Sequence, residues 1–172
     1  MELYEAIKGR RSIRAYKPQD VPKKIVEKLI EAASYAPSAG NIQPWKFVIA
    51  RNPETKKNLA QAANQAFIEE ASVVIVVCAN EKRAEMGYGF RGKTLYCIQD
   101  TAAATQNILL TAYSLGLGTC WIGAFNEDEA KEAVNAPEGV RPVAIVSVGY
   151  ADETPSRRSR RFLSQIMHYE TF

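Results

Sequence analysis

Between Val73 and Ala79 the chain reads VVIVVCA, without one polar side chain. Successive side chains of a strand point to opposite faces, so a run that is apolar at every position has no face left for water. A sheet with this strand inside it must be covered on both sides, which implies three layers. Three further stretches have strand character: Lys46–Ala50, Thr119–Gly123 and Pro142–Tyr150. The segments between them carry apolar residues at helical spacing, so the expected architecture is an α+β or α/β sandwich of four strands interleaved with helices.

The helical expectations are specific. A first helix covers Leu3–Lys8. A second starts after Asp20 as N-cap, with Pro22 in its first turn, and stops at Pro37. Glu54–Glu70 is helical. Asn80–Lys93, polar and containing glycine, is expected to be an irregular connection. A long helix begins near Thr94 and is closed by Gly116 and Gly118. Asn126, followed by Glu127, Asp128 and Glu129, marks an N-cap with acids placed to meet the helix dipole. Leu95–Leu117 has the length of a membrane span, yet it carries Gln99, Asp100, Gln106 and Asn107, which a bilayer would penalise, so it is expected to be a buried helix.

Residue counts remove several kinds of chemistry. One histidine, His168, and three cysteines, Cys78, Cys97 and Cys120, are too few for a Cys/His zinc cluster or a CxxC redox pair. Odd cysteine usage and an N-terminus without an apolar leader lead us to expect reduced thiols and a cytoplasmic protein. No GxSxG elbow is present, and the acids are scattered rather than paired for acid–base work. Gly87–Thr94 (GYGFRGKT) matches the GxxxxGK[ST] spacing, but a phosphate-cradling loop must run directly from a strand into a helix, and Asn80–Met86 intervene. Trp45 and Trp121 are expected in the core.

The net charge of +3 conceals how the charge is distributed. Lys8–Lys17 (KGRRSIRAYK) contains five basic residues and Arg157–Arg161 (RRSRR) four, with no acid in either. Taking those nine from 22 leaves 13 basic residues against 19 acidic ones. Two compact cationic clusters on an acidic body suit one small, highly charged anion better than a nucleic-acid backbone. An enzyme without its own nucleophile, metal or acid–base pair needs a cofactor to carry its reaction, and a phosphate monoester would reward arginines arriving from separate segments. Beyond Tyr150, the tail RRFLSQIMHYETF places Phe162, Leu163, Ile166, Met167, Tyr169 and Phe172 where no further core element is expected. So much apolar surface must land on something, and a second copy of the chain is the favoured partner.

Four segments occur in order: RRSIR (Arg10–Arg14), PSAGNIQPW (Pro37–Trp45), LGLGTCWIGAF (Leu115–Phe125) and RSRR (Arg158–Arg161). Together they resemble the nitroreductase family of FMN-dependent oxidoreductases over nearly the whole chain. The resemblance implies a single domain over residues 1–172, built as a three-layer α/β/α sandwich with a mixed, mostly antiparallel sheet. Residues 151–172 would be a tail wrapping the partner of a homodimer. It implies FMN as cofactor and NADH or NADPH as reductant. Hydride transfer would be ping-pong, to nitroaromatics, quinones or similar small electron-poor acceptors, with no nucleic-acid or membrane partner.

By the same resemblance, Arg10, Arg11, Ser12 and Arg14 would contact the flavin phosphate, ribityl chain and pyrimidine edge, and Arg158 and Arg160 would complete the phosphate site. Pro37, Ser38, Ala39 and Asn41 would reach the flavin of the other subunit, placing two sites at the dimer interface. Asn64 and Gln65 would meet the ring edge, where some relatives have a basic residue at the position of Phe67. Ile122 and Gly123 would lie beside the reactive N5, where some branches carry a glutamate in place of Gly123. The chemistry would be the flavin's, with no protein residue as acid or base. Two readings of other classes use the same arginines: a flavin carrier or sensor without turnover, and a polyanion-binding module.

Overall fold

A computed structural model describes residues 1–172. Its helices are α1 (Leu3–Gly9), α2 (Lys23–Ser34), α3 (Pro53–Ala63), α4 (Phe67–Glu70), α5 (Glu81–Arg91), α6 (Cys97–Ser114) and α7 (Glu127–Ala133). Its strands are β1 (Trp45–Ala50), β2 (Val73–Asn80), β3 (Gly118–Ile122) and β4 (Val140–Gly149), hydrogen-bonded in the order β1-β2-β4-β3. All neighbouring strands are antiparallel. The parallel contribution is an isolated bridge between Ser12 and Thr119, which lays the Arg10–Tyr16 segment along β3.

The apolar run accounts for the layers. Val73, Ile75 and Val77 join Val146 and Val148 in one core cluster with Leu29 of α2 and Ile108 and Ala112 of α6. Val74, Val76 and Cys78 face the other way, into a cluster with Leu59 of α3, Ile68 of α4 and Ala130 of α7. Alternation along one strand thus feeds two cores, and the sandwich has α2 and α6 on one side and α3, α4 and α7 on the other. No helix is long and apolar enough to cross a membrane. In α6, Asp100, Thr101, Ala104, Thr105 and Ile108 are buried at helical spacing.

Several boundaries differ from the sequence expectation for identifiable reasons. Helix α2 starts two residues later than an Asp20 cap would place it: its N-cap is Pro22, without a side-chain cap, and the Val21 N–H donates to Ser72 Oγ at 2.7 Å. The expected Glu54–Glu70 helix is interrupted at Asn64, whose φ of 49° is left-handed and ends α3. The connection expected over Asn80–Lys93 is instead helical from Glu81 onward. The Asn80 side chain accepts from the Arg83 N–H at 3.0 Å and caps α5, which bends at Tyr88–Gly89 and passes through a π turn, Gly92–Tyr96, into α6. Gly118 starts β3, and only Gly116, at φ 78°, belongs to the helix ending. Trp45 is in the core as expected, whereas Trp121 is 38% exposed on an edge strand.

The Asn126 cap forms as expected, its side chain accepting from the Asp128 and Glu129 N–H groups. At the start of the same helix, the Arg141 guanidinium donates to both Glu127 carboxylate oxygens, at 2.6 and 2.8 Å, tying α7 to β4. That hydrogen bonding holds the Glu127 carboxyl below its usual range. A depressed carboxyl contributes stability that is present above the ordinary unfolded-state value and is lost as pH falls through the folded one. Arg141→Gln is therefore expected to flatten the acid limb of the stability–pH curve, read by urea unfolding between neutral pH and about pH 3. An unchanged acid limb would remove the pair from the account of acid stability.

Candidate functional site

The Arg10–Tyr16 segment leaves α1 in extended conformation and is fastened to β3 through Ile13, whose N–H donates to the Thr119 carbonyl at 2.9 Å. Ile13 is buried, and alternation about it separates the neighbouring side chains. Arg11 turns back to α1, donating to the carbonyls of Lys8, Gly9 and Arg10 at 2.7, 2.9 and 2.8 Å, which satisfies the end of that helix. Arg10, Ser12 and Arg14 lie instead on the side of the Cys120 thiol, which lies in the field of both arginines. The four-residue expectation thus divides into a helix-capping arginine and three groups facing one site.

The second basic cluster reaches the first. Burial, then the charges of Arg11 and Arg160, depress the Arg10 pKa, so a positive charge there is costly as the chain stands. Arg160 itself bonds only neighbouring carbonyls, those of Arg158 and Ser159 at 3.3 and 3.1 Å, leaving its charge uncompensated. None of the nine basic side chains of the two clusters takes part in a salt bridge, although the molecule forms six ion-pair contacts elsewhere. An acid beside the first cluster, Glu153, accepts from the backbone N–H of Arg14. Half-buried Arg10 and exposed Arg14, Arg158 and Arg160, none with a carboxylate partner, form a candidate anion site. This donor set fits a phosphate monoester.

The other expected site residues continue along β3. Strand residues rise about 3.3 Å each, so Thr119 to Gly123 covers roughly 13 Å. At its far end the Asn126 N–H donates to the Ala62 carbonyl at 2.8 Å, tying the segment that follows Ile122 and Gly123 to the end of α3, where Asn64 and Gln65 are exposed. Gly123 is open, since a Cβ there would touch only the Trp121 indole, at 3.8 Å. A line from Arg10, Ser12 and Arg14 past Cys120 to Gly123, Asn64 and Gln65 therefore follows one edge of the sheet.

Pro37, Ser38, Ala39 and Asn41 belong to a separate loop. The Ala39 N–H donates to the Asp100 carboxylate at 3.1 Å, Ser38 Oγ accepts the Gln43 N–H at 3.0 Å, and the Asn41 side chain accepts from Gln43 Nε2 at 3.0 Å. Gly40, Asn41 and Gln43 all have φ near 50°, a conformation Gly and Asn tolerate best. A Cβ at Gly40 would also meet the Tyr88 hydroxyl at 2.6 Å, because α5 lies over the loop. The loop's hydrogen bonds go to α5 and α6, and none to the Arg10–Arg14 segment. Gly87–Thr94 lies in the bent end of α5 and the π turn, with no strand feeding it, so the phosphate-loop geometry is not formed.

Sequence reasoning missed two residues that shape these segments, Asp100 and Glu153. Asp100 was legible in part. A carboxylate in phase with the buried side of a helix needs a donor, and burial pushes its pKa up while the Ala39 N–H opposes that. Glu153 gave no signal, since its partner is a backbone group far away in sequence.

Comparison with known proteins agrees with this architecture. The model of the nitroreductase family matches residues 7–73 and 60–150. A Thermus thermophilus protein named NADH dehydrogenase is 34% identical, with 87% of each chain covered. The NADPH:FMN oxidoreductase from Vibrio harveyi, solved in complex with NAD+, superposes with a TM-score of 0.91 at 27% identity, covering 99% of this chain and 77% of that one. An FMN-dependent nitroreductase from Clostridium difficile gives 0.84 at 27% identity, covering 98% and 99%. With its three layers, its antiparallel sheet and a family match running from the first basic segment to the end of β4, the chain belongs to the nitroreductase family.

Proposed function

We propose that the protein is an FMN-dependent oxidoreductase that oxidises NADH or NADPH and reduces nitroaromatics, quinones or similar small electron-poor acceptors. The observation that carries this reading is that half-buried Arg10, in the field of exposed Arg160, has no acidic partner and stands beside the β3 edge of the sheet. Relatives named for FMN reduction and NAD(P)H oxidation support it. Bound FMN would supply the redox chemistry, taking hydride from a nicotinamide and passing electrons to an acceptor that enters the same place afterwards. Arg10, Arg160 and Arg158 would neutralise its phosphate, and Ser12 would hydrogen-bond the adjoining chain. Arg14 would put positive charge near the pyrimidine edge, where it favours a reduced, anionic ring. The backbone at Ile122–Gly123 would supply a donor to the ring, with Asn64 and Gln65 at its edge.

The reading includes a homodimer in which residues 151–172 wrap the partner and Pro37, Ser38, Ala39 and Asn41 enter the partner's site. Support comes from what the single chain leaves uncovered. Phe162 and Tyr169 in the tail are 76% and 78% exposed, and Leu3, Tyr4 and Ile7 form an exposed apolar stripe on α1. Together these are large enough to demand a covering surface.

The visible spectrum of purified protein given FMN, followed anaerobically on adding NADH or NADPH, tests the function. A stoichiometric flavin band bleached by the nicotinamide and restored by a quinone is expected. A band that no nicotinamide bleaches would indicate a carrier or sensor. No band, with steeply salt-dependent binding to RNA or DNA, would indicate a polyanion-binding module.

A further inference from the structure

We propose that Tyr16 is a positioning residue that fixes the backbone between Ser12 and Arg14 and so orients their contacts to the ribityl chain and pyrimidine edge; this rests on the flavin reading above. Tyr16 is buried, and its hydroxyl lies 2.7 Å from the Ile13 carbonyl and 2.7 Å from Ser147 Oγ. The direction of this relay follows from the inventory of donors. A carbonyl can only accept, so the Tyr16 O–H must donate to Ile13, and the Ser147 O–H must donate to the Tyr16 oxygen. Ser147 belongs to β4, a central strand, and is fully buried. The relay thus connects the rigid centre of the sheet to one backbone carbonyl of the basic segment.

That carbonyl lies at a sensitive point. The Ile13 N–H is already held by Thr119, so the Tyr16 hydroxyl completes a two-sided clamp on the residue between Ser12 and Arg14. Further bonds fasten the segment on either side of Tyr16: Lys17 N–H to the Tyr150 carbonyl and Asp152 N–H to the Ala15 carbonyl, both at 2.9 Å. The ring has been given room. A Cβ on Gly149 would stand 2.7 Å from the ring carbon Cδ1, so the strand carries glycine where the tyrosine crosses it. A phenylalanine would fill the same volume. The hydroxyl is therefore in place for the hydrogen bonds, and the bond it donates is aimed at the segment that presents the arginines. Charge-assisted contacts depend on geometry, so backbone freedom at Ile13 should weaken what Ser12 and Arg14 hold, the ribityl chain and the pyrimidine edge, before it affects the phosphate contacts.

The experiment compares FMN with riboflavin, which lacks the phosphate, by quenching of flavin fluorescence. The ratio of the two dissociation constants reports the phosphate site alone. Wild-type protein is expected to favour FMN strongly. Tyr16→Phe should weaken riboflavin and FMN alike, about tenfold, the value of one well-placed hydrogen bond, so that the preference holds. Ser147→Ala, which leaves Tyr16 in place, should weaken both less. In the double variant Tyr16→Phe/Ser147→Ala no serine hydroxyl is stranded in the core. Its melting temperature should recover relative to Tyr16→Phe alone, while riboflavin affinity stays reduced, a separation that a purely structural role would not give. Unchanged riboflavin affinity in Tyr16→Phe would overturn the proposal; should that variant not fold, unchanged riboflavin affinity in Ser147→Ala overturns it. A wild type that binds neither flavin would instead overturn the flavin reading, and this proposal with it.

Discussion

Arg10→Ala/Arg160→Ala protein is expected to purify folded and colourless. Each guanidinium is assigned a charge-assisted contact to the phosphate, and such bonds contribute about 1.5–3 kcal/mol apiece. Losing both should weaken FMN binding by roughly 10²- to 10⁴-fold. Folding should not suffer. Arg160 bonds only carbonyls of its own neighbours, and neither side chain has a salt-bridge partner to abandon. Removing two like charges that repel each other should leave the melting temperature of the apoprotein unchanged or slightly raised. FMN titration and thermal unfolding of the same preparation separate the two effects. Stoichiometric FMN in the double variant would end the phosphate assignment.

The second large effect concerns where one site gets its parts. If the Pro37–Asn41 loop serves the partner's flavin, a protein with Arg10→Ala and another with Asn41→Gly should each be nearly inactive. Glycine is chosen because Asn41 has a φ of 55°, so the side chain is removed without adding backbone strain. After the two are mixed, dissociated and reassembled, half the dimers are mixed. In each mixed dimer one site carries both defects and the other carries neither. Activity should then recover to about a quarter of wild type under random pairing. Two inactive parents giving an inactive mixture would show that loop and arginines serve the same protomer's site, or that the loop serves none.

Much of this fold was legible because it follows from local rules. The Val73–Ala79 run required two covering layers, and the Asn126 cap formed as its side-chain chemistry dictates. Asn80–Lys93 was misjudged because glycine content and polarity argued for a loop, while one side-chain cap at Asn80 and the packing of α5 over the Ser38–Gln43 loop favoured a helix. The convergence of two basic clusters could be suspected from charge distribution alone. The division of labour within RRSIR could not. That Arg11 caps α1 while Arg10 lies in the field of Arg160 depends on the extended backbone at Ile13, which is set by a strand more than a hundred residues away.

Arg10 and Arg160 also come from segments about 150 residues apart in the chain. During synthesis the first arginine emerges well before the second, so the proposed anion site is incomplete until the tail has been made. Under that assignment, retention of the coenzyme would be a test of translation through the tail: a chain ended by a premature stop after β4 has both cores and the whole sheet, yet lacks Arg158 and Arg160.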